Sequence, residues 1–556
     1  MLGLVETEQT IRVHAPAAAI VSLVVESGAD GSARASAMVR DGSDWQGVLR
    51  AADGDRYWLV ADGVGPLLDP SAFDIEMTLR GPVSVVRAAP WPAGKTLRSS
   101  QLPRRSMPVV YEMHARGFAR TFAGAAGHLA YLADLGVNVI ELMPVHPFDA
   151  STNYWGYMPI VWGAIHREYA EGDDAPAELM ALVRDAHHRG IEVWIDVVFN
   201  HTGEGDATMP TWCLRGLDEA GAYRHNSDGT YTGDSGCGND IDPTNENVRQ
   251  LVIEALDRYA DLGVDGFRFD LASLLTRDGG ELVRRIGDWA EERDVDLIAE
   301  PWDLAAYQVG RAFPDDRWMQ WNDRFRDDLR GFLRSEPGLV PSVVQRVGGS
   351  PDLFGDGPPR SVNFITAHDG LTLHDMTALT SDRHRSWDCG PELREQQMAN
   401  AFCLLLLSAG APMFVMGDEF GRTQRNHDNP YNIDSELTWV DWGRLEHWQG
   451  LHDTVRRLIG IRARADFSDV QCHGTEGPVD VTHDSRSLAW SAGGVYVMAN
   501  MWFEDLTFRV QEPGAWVQVL ATSDLAAVVG AEAIDTTERV VVPTRSVVVL
   551  VKDMRG

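Results

Sequence analysis

Several apolar runs in this chain stop abruptly at residues able to carry a proton or a charge. DVVFNH runs from Asp196 to His201, and GFRFDL places Arg268 and Asp270 two residues apart. LIAEPWD ends in Glu300 and Asp303, NFITAHD ends in His368 and Asp369, and a fifth run ends in Asp418 and Glu419. Burying a charge at the end of an apolar strand is costly unless it is paired or used. Any one of these residues has an ordinary explanation. A strand-end Asp caps the next helix, a lone Arg268 pairs a structural carboxylate, and a lone His201 or His368 is a satisfied core histidine. Convergence from separate strands points instead to one shared active site.

Two carboxylates with no metal or nucleotide motif suit glycosidic cleavage: one attacks the anomeric carbon and the other protonates the leaving oxygen. The two must titrate differently. Arg268 lies on the same strand face as Asp270, so its fixed positive charge is expected to hold Asp270 ionised. Glu300, among Pro301, Trp302 and other apolar groups, is expected to stay protonated. Asp369 is a third carboxylate, placed to hold sugar hydroxyls and to favour a positive, oxocarbenium-like state. His201 and His368 are candidate hydroxyl donors.

The elements that must position these residues follow from the rhythm of the chain. From about residue 105, apolar strands alternate with helical stretches, the pattern of a parallel α/β fold. Strands are expected at Val109–His114, Val137–Met143, Glu192–Phe199, Asp265–Leu271, Asp296–Glu300, Trp318–Asn322, Ser361–His368 and Pro412–Met416. Helices are expected over Phe122–Leu135, Ala177–His188, Glu246–Leu262, Glu281–Glu292 and Leu393–Ser408. Eight strands mostly separated by helices close naturally into a (β/α)₈ TIM barrel with its chemistry at the C-terminal strand ends. The runner-up, a doubly wound open sheet, lacks a GxGxxG opening a helix after a strand. A Gly/Asp/Thr-rich stretch from Thr202 to Thr244 reads as an inserted lobe.

Residues 1–100 carry short alternating segments such as Ile20–Val25, Ala37–Arg40 and Tyr57–Val60, the rhythm of an N-terminal β-sandwich. Trp45, Tyr57, Trp58 and Trp91 there could stack on sugar rings, although core packing is the preferred assignment. Residues 101–465 form the expected barrel domain. Residues 466–556 return to β-rich runs, Val495–Asn500, Val517–Leu520 and Val540–Val551, and are expected to form a C-terminal β-sandwich.

The chain carries 49 basic against 82 acidic residues, a net −33. Such a balance repels nucleic acid and anionic membranes, so neither is an expected partner; most of the charge is expected to be solvated surface. Five cysteines without CxxC spacing indicate neither a disulfide framework nor a zinc site. The opening residues MLGLVETEQTIRVHAP lack a basic, then apolar, leader pattern. The most apolar stretch, Ala401 to Met416, contains Pro412 and falls short of the roughly 20 residues a membrane span needs; it reads as a buried helix running into a buried strand. The expected setting is the reducing cytoplasm.

At its strand ends the chain resembles the α-amylase superfamily, glycoside hydrolase family 13. It carries that superfamily's four segments in order: DVVFNH, GFRFDLAS, LIAEPWD and NFITAHDG. The resemblance covers roughly Val109 to Trp442. It implies Asp270 as nucleophile, Glu300 as acid/base and Asp369 as transition-state stabiliser. It implies sugar contacts from Arg268, His201 and His368, stacking from Tyr157 in NYWGYMP, and Asp196 and Trp302 in the substrate pocket. The stretches ELMPVHPF, SGCGNDID, AYQVG, AHDGLTLHDM and GDEFGRTQRNHDNPYNIDSELTWVDW resemble the isoamylase and bacterial glycogen-debranching group. That group implies hydrolysis of α-1,6 branches in glycogen, limit dextrin or branched maltodextrin, and a glycogen-binding-type front domain. An α-1,4-glucan hydrolase or 4-α-glucanotransferase is the alternative within enzymes; a non-catalytic glucan-binding protein is disfavoured because all three acids are present. The loops Trp302–Tyr307 and Thr377–Cys389 are shorter than in typical relatives. Asn200 sits where α-amylases bind structural calcium, but debranching relatives commonly do without it, so no cofactor and no metal are expected.

Overall fold

The computed structural model describes residues 7–87, 108–356, 360–525, 533–535 and 539–552. Its centre is a closed barrel of eight parallel strands, each hydrogen-bonded to the next in chain order. The strands are Val110–Met113, Val139–Leu142, Glu192–Val197, Gly266–Phe269, Asp296–Ala299, Met319–Asn322, Ser361–Phe364 and Ala411–Val415. Each lies within a run identified in the sequence or exceeds it by one residue. These runs are legible because barrel strands are covered on both faces and read as unbroken apolar strings.

Inside the barrel, Val110, Val139, Trp194, Ile298, Trp321, Val362, Phe364, Ala411 and Met413 form a separate apolar plug. Gly266 makes room for it, since a Cβ there would come within 2.6 Å of the Trp194 ring. One pleat further along, the inward positions become charged. Glu112, Glu141 and Asp196 follow Val110, Val139 and Trp194 by two residues, and Arg268 follows Gly266. Glu112 stands in register with Glu141, and Asp196 with Arg268. The switch from apolar plug to charged rim thus happens within about one residue pair of each strand.

The outer helices differ from expectation in detail. The helix expected over Phe122–Leu135 is split into Phe122–Gly127 and Leu129–Leu135, with a short turn of helix, Ala115–Ala119, before them. Thr121 caps Phe122–Gly127 by accepting from the Gly124 amide, and the glycines in FAGAAG weaken continuation. The helices not anticipated include Leu214–Ala222 inside the 202–244 stretch, Asp323–Leu333, Val340–Val347 and Gln449–Arg462. Ala401 to Met416 is, as expected, the end of a helix and a buried strand. Among the described residues no helix is long and apolar enough to cross a membrane.

Both flanks are antiparallel. The N-terminal part pairs a three-stranded sheet with a six-stranded one. The segment Ala37–Arg40 is not one strand: Ala33–Ala37 and Val39–Asp41 join different sheets, and the chain crosses between them at buried Met38. Trp45 and Tyr57 belong to the core between the sheets. The Trp45 indole donates to the Ala15 carbonyl and the Tyr57 hydroxyl to Asp69, so neither offers a sugar platform. Trp58 is half-buried, and Trp91 and the boundary near residue 100 lie outside the described residues. In the C-terminal part a six-stranded sheet faces a two-stranded one. The run Val540–Val551 divides into Arg539–Val542 and Ser546–Lys552, which sit in different sheets. Pro543, which has no amide to donate, and Arg545, at φ 53°, make the break.

Candidate active site

Arg268 organises the C-terminal mouth of the barrel. Its side chain is 1% exposed, and its guanidinium lies 4.1 Å from the centre of the Trp321 ring. Nη1 donates to Asp196 Oδ2 at 2.7 Å and to Asp270 Oδ1 at 3.1 Å, while Nη2 donates to Glu300 Oε2 at 2.9 Å. One cation therefore serves three carboxylates delivered by three consecutive strands. It cannot neutralise all of them, and the shortfall appears as retained protons. Burial pushes Glu300 up to about 8; Arg268 opposes the rise and the neighbouring Asp270 charge adds to it. Burial likewise lifts Asp196 to about 7, against Arg268 and with Asp270.

Asp270 is held from two sides. Arg268 takes one carboxylate oxygen, and the Asn200 amide donates to the other at 2.8 Å and to the Asp270 carbonyl at 2.7 Å. The chain then turns through Leu271 at φ 41°, a left-handed conformation costly for a leucine. That turn aims the Leu271 amide at Glu300 Oε2, 2.9 Å away. The Asn200 carbonyl oxygen pairs with His201 Nδ1. Both ends of the Asn200 side-chain amide are thus engaged, in fixing Asp270 and His201. Among the described residues no group of three or more His, Cys, Asp or Glu forms a metal site.

The two histidines part company. His201 spends both ring nitrogens inside the protein, on Asn200 and on the Tyr157 carbonyl at 2.7 Å. Through these two contacts it braces the pocket wall. Burial works to lower its pKa, but Cys237 and Asp270 outweigh this and raise it to about 9. His368 uses Nδ1 on Glu112 at 2.7 Å, and its ring stacks on Tyr157 with centres 4.8 Å apart. The Tyr157 hydroxyl in turn donates to Asp196 at 2.5 Å. Asp369 opens on the cleft. Burial works against its charge, yet His368, Arg326 and Arg268 hold it below the ordinary carboxylate range.

Trp302 packs against the barrel's apolar plug and pairs its backbone with Tyr307, making a tight hairpin. At the hairpin tip Leu304 is 78% exposed, and its amide donates to the Asp234 carbonyl of the 202–244 stretch. That stretch is anchored by buried Glu204, which accepts from the Trp212, Cys213 and Arg215 amides and the Tyr223 hydroxyl. Asp303 is not part of the pocket: its oxygens hold Ser273 and Arg277. The eighth strand's acids are not part of it either. Asp418 accepts from Thr366 and the Leu373 amide, and Glu419 from the Tyr111 and Tyr131 hydroxyls. Gly417, at φ 82°, turns the chain into a short 3₁₀ segment there and directs both acids into packing. Asn200, Glu112 and Glu141 are pocket residues that the strand-end pattern did not single out. Glu112 was visible only as a lone acid inside the buried run VVYEMH, and Glu141 only as the first residue of the stretch ELMPVHPF.

Residues 114–211 match the family described as alpha amylase, catalytic domain. Over 445 residues the chain is 35% identical to the glycogen operon protein GlgX homolog of Mycobacterium tuberculosis (strain ATCC 25618 / H37Rv), across 69% of this chain and 61% of that protein. Over these residues the chain is similar to the α-amylase family. A second family relative, isoamylase 1, chloroplastic, of Oryza sativa subsp. japonica, is 34% identical over 488 residues, covering 70% of this chain and 60% of the relative. The chain spans about three fifths of the length of the curated relatives it matches. The likeness in fold extends through the flanks. A pullulanase from Anoxybacillus sp. LM18-11 complexed with maltotetraose superposes with a TM-score of 0.82 over 99% of this chain and 87% of that one, at 23% identity.

Proposed function

We propose that the chain is a retaining glycoside hydrolase that cleaves α-1,6 branch linkages of glycogen, limit dextrin or a related α-glucan. The observation that carries this reading is the single Arg268 guanidinium joining Asp270 to Glu300, with Glu300 holding its proton at neutral pH. The branch specificity draws on the relatives' names and on the debranching-type stretches. A three-part chain accompanies it: residues 1–100 as a glycogen-binding-like front domain, 101–465 as the catalytic barrel with the lobe at about 202–244, and 466–556 as the C-terminal domain. Five free cysteines support a reducing compartment, the cytoplasm, and the net charge of −33 disfavours nucleic acid and anionic membranes as partners.

In this mechanism an Asp270 oxygen attacks the anomeric carbon while Glu300 gives its proton to the departing O6. The bond to O6 breaks and a glycosyl ester on Asp270 forms. Glu300, now a carboxylate, takes a proton from water, which attacks the same carbon and releases Asp270 with the original configuration restored. Asp369 faces the positive charge that develops on the ring. Arg268 and Asn200 keep Asp270 aimed, and His201 and Asp196 hold Asn200, Tyr157 and Arg268 in place. Trp302 forms part of the wall beside Glu300.

The test compares a phosphorylase-trimmed glycogen, pullulan and linear maltoheptaose at equal enzyme. Faster debranching than linear cleavage is expected. Faster cleavage of the linear chain would overturn the branch assignment and leave an α-1,4 hydrolase or glucanotransferase. Binding of all three without products would leave a glucan-binding protein.

A further inference from the structure

We infer that Glu112, which lies in none of the family segments, is the positioning residue of the pocket floor: it fixes the His368 imidazole so that its far nitrogen, Nε2, donates to a hydroxyl of the sugar at the cleavage point. The sugar contact rests on the function proposed above; the geometry beneath it does not.

Glu112 sits on the first barrel strand and is 1% exposed. Its Oε1 is 2.7 Å from His368 Nδ1, which fixes a proton on that nitrogen. The Tyr157 hydroxyl lies 3.4 Å from the same nitrogen. The ring is confined by Tyr157 on its face and by the edge of Trp155, with centres 5.0 Å apart. A neutral imidazole with its proton on Nδ1 has only a lone pair at Nε2; the imidazolium donates from both nitrogens. Which form the pocket holds is therefore decisive.

The charged and titratable groups facing His368 are Glu112 from the first strand, Glu141 from the second, Asp196 from the third through Tyr157, Arg268 from the fourth, and Asp369 beside it. Burial disfavours the imidazolium and Arg268 adds to that. The charge and hydrogen bond of Glu112, with help from Asp369, outweigh both and raise the group to about 9. The imidazolium charge is in turn the foremost influence keeping Asp369 ionised. Glu112 thus acts on two pocket residues through one contact.

Glu141 completes the device. It stands in register with Glu112, and among the described residues neither of its oxygens has a hydrogen-bond partner. Burial, with the charges of Glu112 and Asp196, drives its pKa well above the ordinary value. A second carboxylate here would compete for His368 with no donor to hold it, so Glu141 resists ionisation and leaves the contact with His368 to Glu112.

The experiment follows His368 directly. In protein labelled at histidine carbon, its NMR signal is assigned by its loss in His368→Asn and then titrated. It is expected to titrate well above 6.5 in the unmodified chain and below that value in Glu112→Gln, which keeps the shape and removes the charge. Glu141→Gln, which mimics a neutral acid, should move it little. On the substrate cleaved fastest, Glu112→Gln should lower kcat/KM at pH 7 on the order of 10- to 100-fold, as loss of an orienting carboxylate on a functional histidine does. The deficit should shrink towards pH 5 as the imidazole regains its proton. A His368 that titrates near 6.5 in the unmodified chain overturns the inference, as does one that ignores Glu112→Gln. Should that variant fail to fold, the titration of the unmodified chain still decides. If the titrations come out as expected but no α-glucan is cleaved, the proposed function falls and the role of Glu112 in charging His368 stands.

Discussion

Two groups of buried acids sit on this barrel, and they differ in what holds them. Around Arg268, Glu300 is raised to about 8 and Asp196 to about 7. At the end of the eighth strand, Glu419 is raised to about 7 and Asp418 to about 6. In all four the first cause is burial, so the size of the shift does not tell the groups apart. Their partners do. Asp418 and Glu419 are fully buried and are held by hydroxyls and a backbone amide, all neutral donors. The carboxylates at Arg268 compete for one cation, and Asp270 and Asp369 reach the cleft. A perturbed acid reports desolvation; a contested cation beside an open face reports a site that can pass protons to a ligand.

The largest effect that can break this contrast is on rate. Glu300→Gln should lower kcat on glycogen by about 10²–10⁴-fold, the span associated with a lost general acid, and Asp270→Asn by at least as much. Glu419→Gln should leave the rate near that of the unmodified chain. Glu300→Gln should also keep more activity on an activated aryl glucoside than on glycogen, because that leaving group needs no proton. Equal losses in Glu300→Gln and Glu419→Gln would dissolve the distinction between the clusters. Proton NMR of the first-formed product should show an α-configured reducing end; a β-anomer would remove Asp270 as nucleophile.

Stability should respond in the opposite sense. Glu419→Ala leaves two tyrosine hydroxyls without their acceptor and should cost about 2–4 kcal/mol in denaturant unfolding, with kcat little changed. A variant as stable as the parent would show that this cluster carries no structural load. Next in size is the alkaline side of the rate profile. Glu300 must hold its proton to act, so kcat/KM should fall about tenfold per pH unit above roughly pH 8 and should lose that limb in Glu300→Gln. The smallest effect is thermal. The folded-state pKa of Glu300 is raised from 4.5, so its contribution to stability is fully present below 4.5 and is lost as pH rises through about 8. Glu300→Gln has no proton to lose, so its Tm should gain on that of the parent by a few degrees between pH 5 and 9. A constant Tm difference would mean that Glu300 is not a buried acid that resists ionisation.

The barrel and most of the pocket are legible in the sequence for one reason: covered strands read as continuous apolar strings, and a charge at the end of such a string has nowhere neutral to go. The same rule misplaces Asp418 and Glu419, because the turn at Gly417 redirects them after the strand has ended, and no periodicity records a turn's direction. It passes over Glu112 and Glu141, whose charges lie within strands. Nor can residue type show that both His201 nitrogens already meet protein groups, the Asn200 side chain and the Tyr157 carbonyl. The helix Asp323–Leu333 escapes for a related reason. DRFRDDLRGFL is dominated by its charged face, and its capping residue, Asn322, is also the last residue of a strand. Across the Met38 crossover and the Pro543 break, apolar alternation continues while the chain changes sheets, so pattern alone joins what the fold separates.

The sharing of Arg268 also bears on how the barrel assembles. Asp196, Arg268, Asp270 and Glu300 come from three consecutive parallel strands, and parallel strands pair only after long stretches of intervening chain have been ordered. Until the third and fourth strands align with Asp196 opposite Arg268, and the fifth brings Glu300 to the same guanidinium, closure would bury acids without a counter-charge. A slip of one residue would turn Arg268 away from the interior and leave those acids unpaired at a cost of several kcal/mol. A barrel closed out of register would thus be penalised at the point where the proposed chemistry takes place.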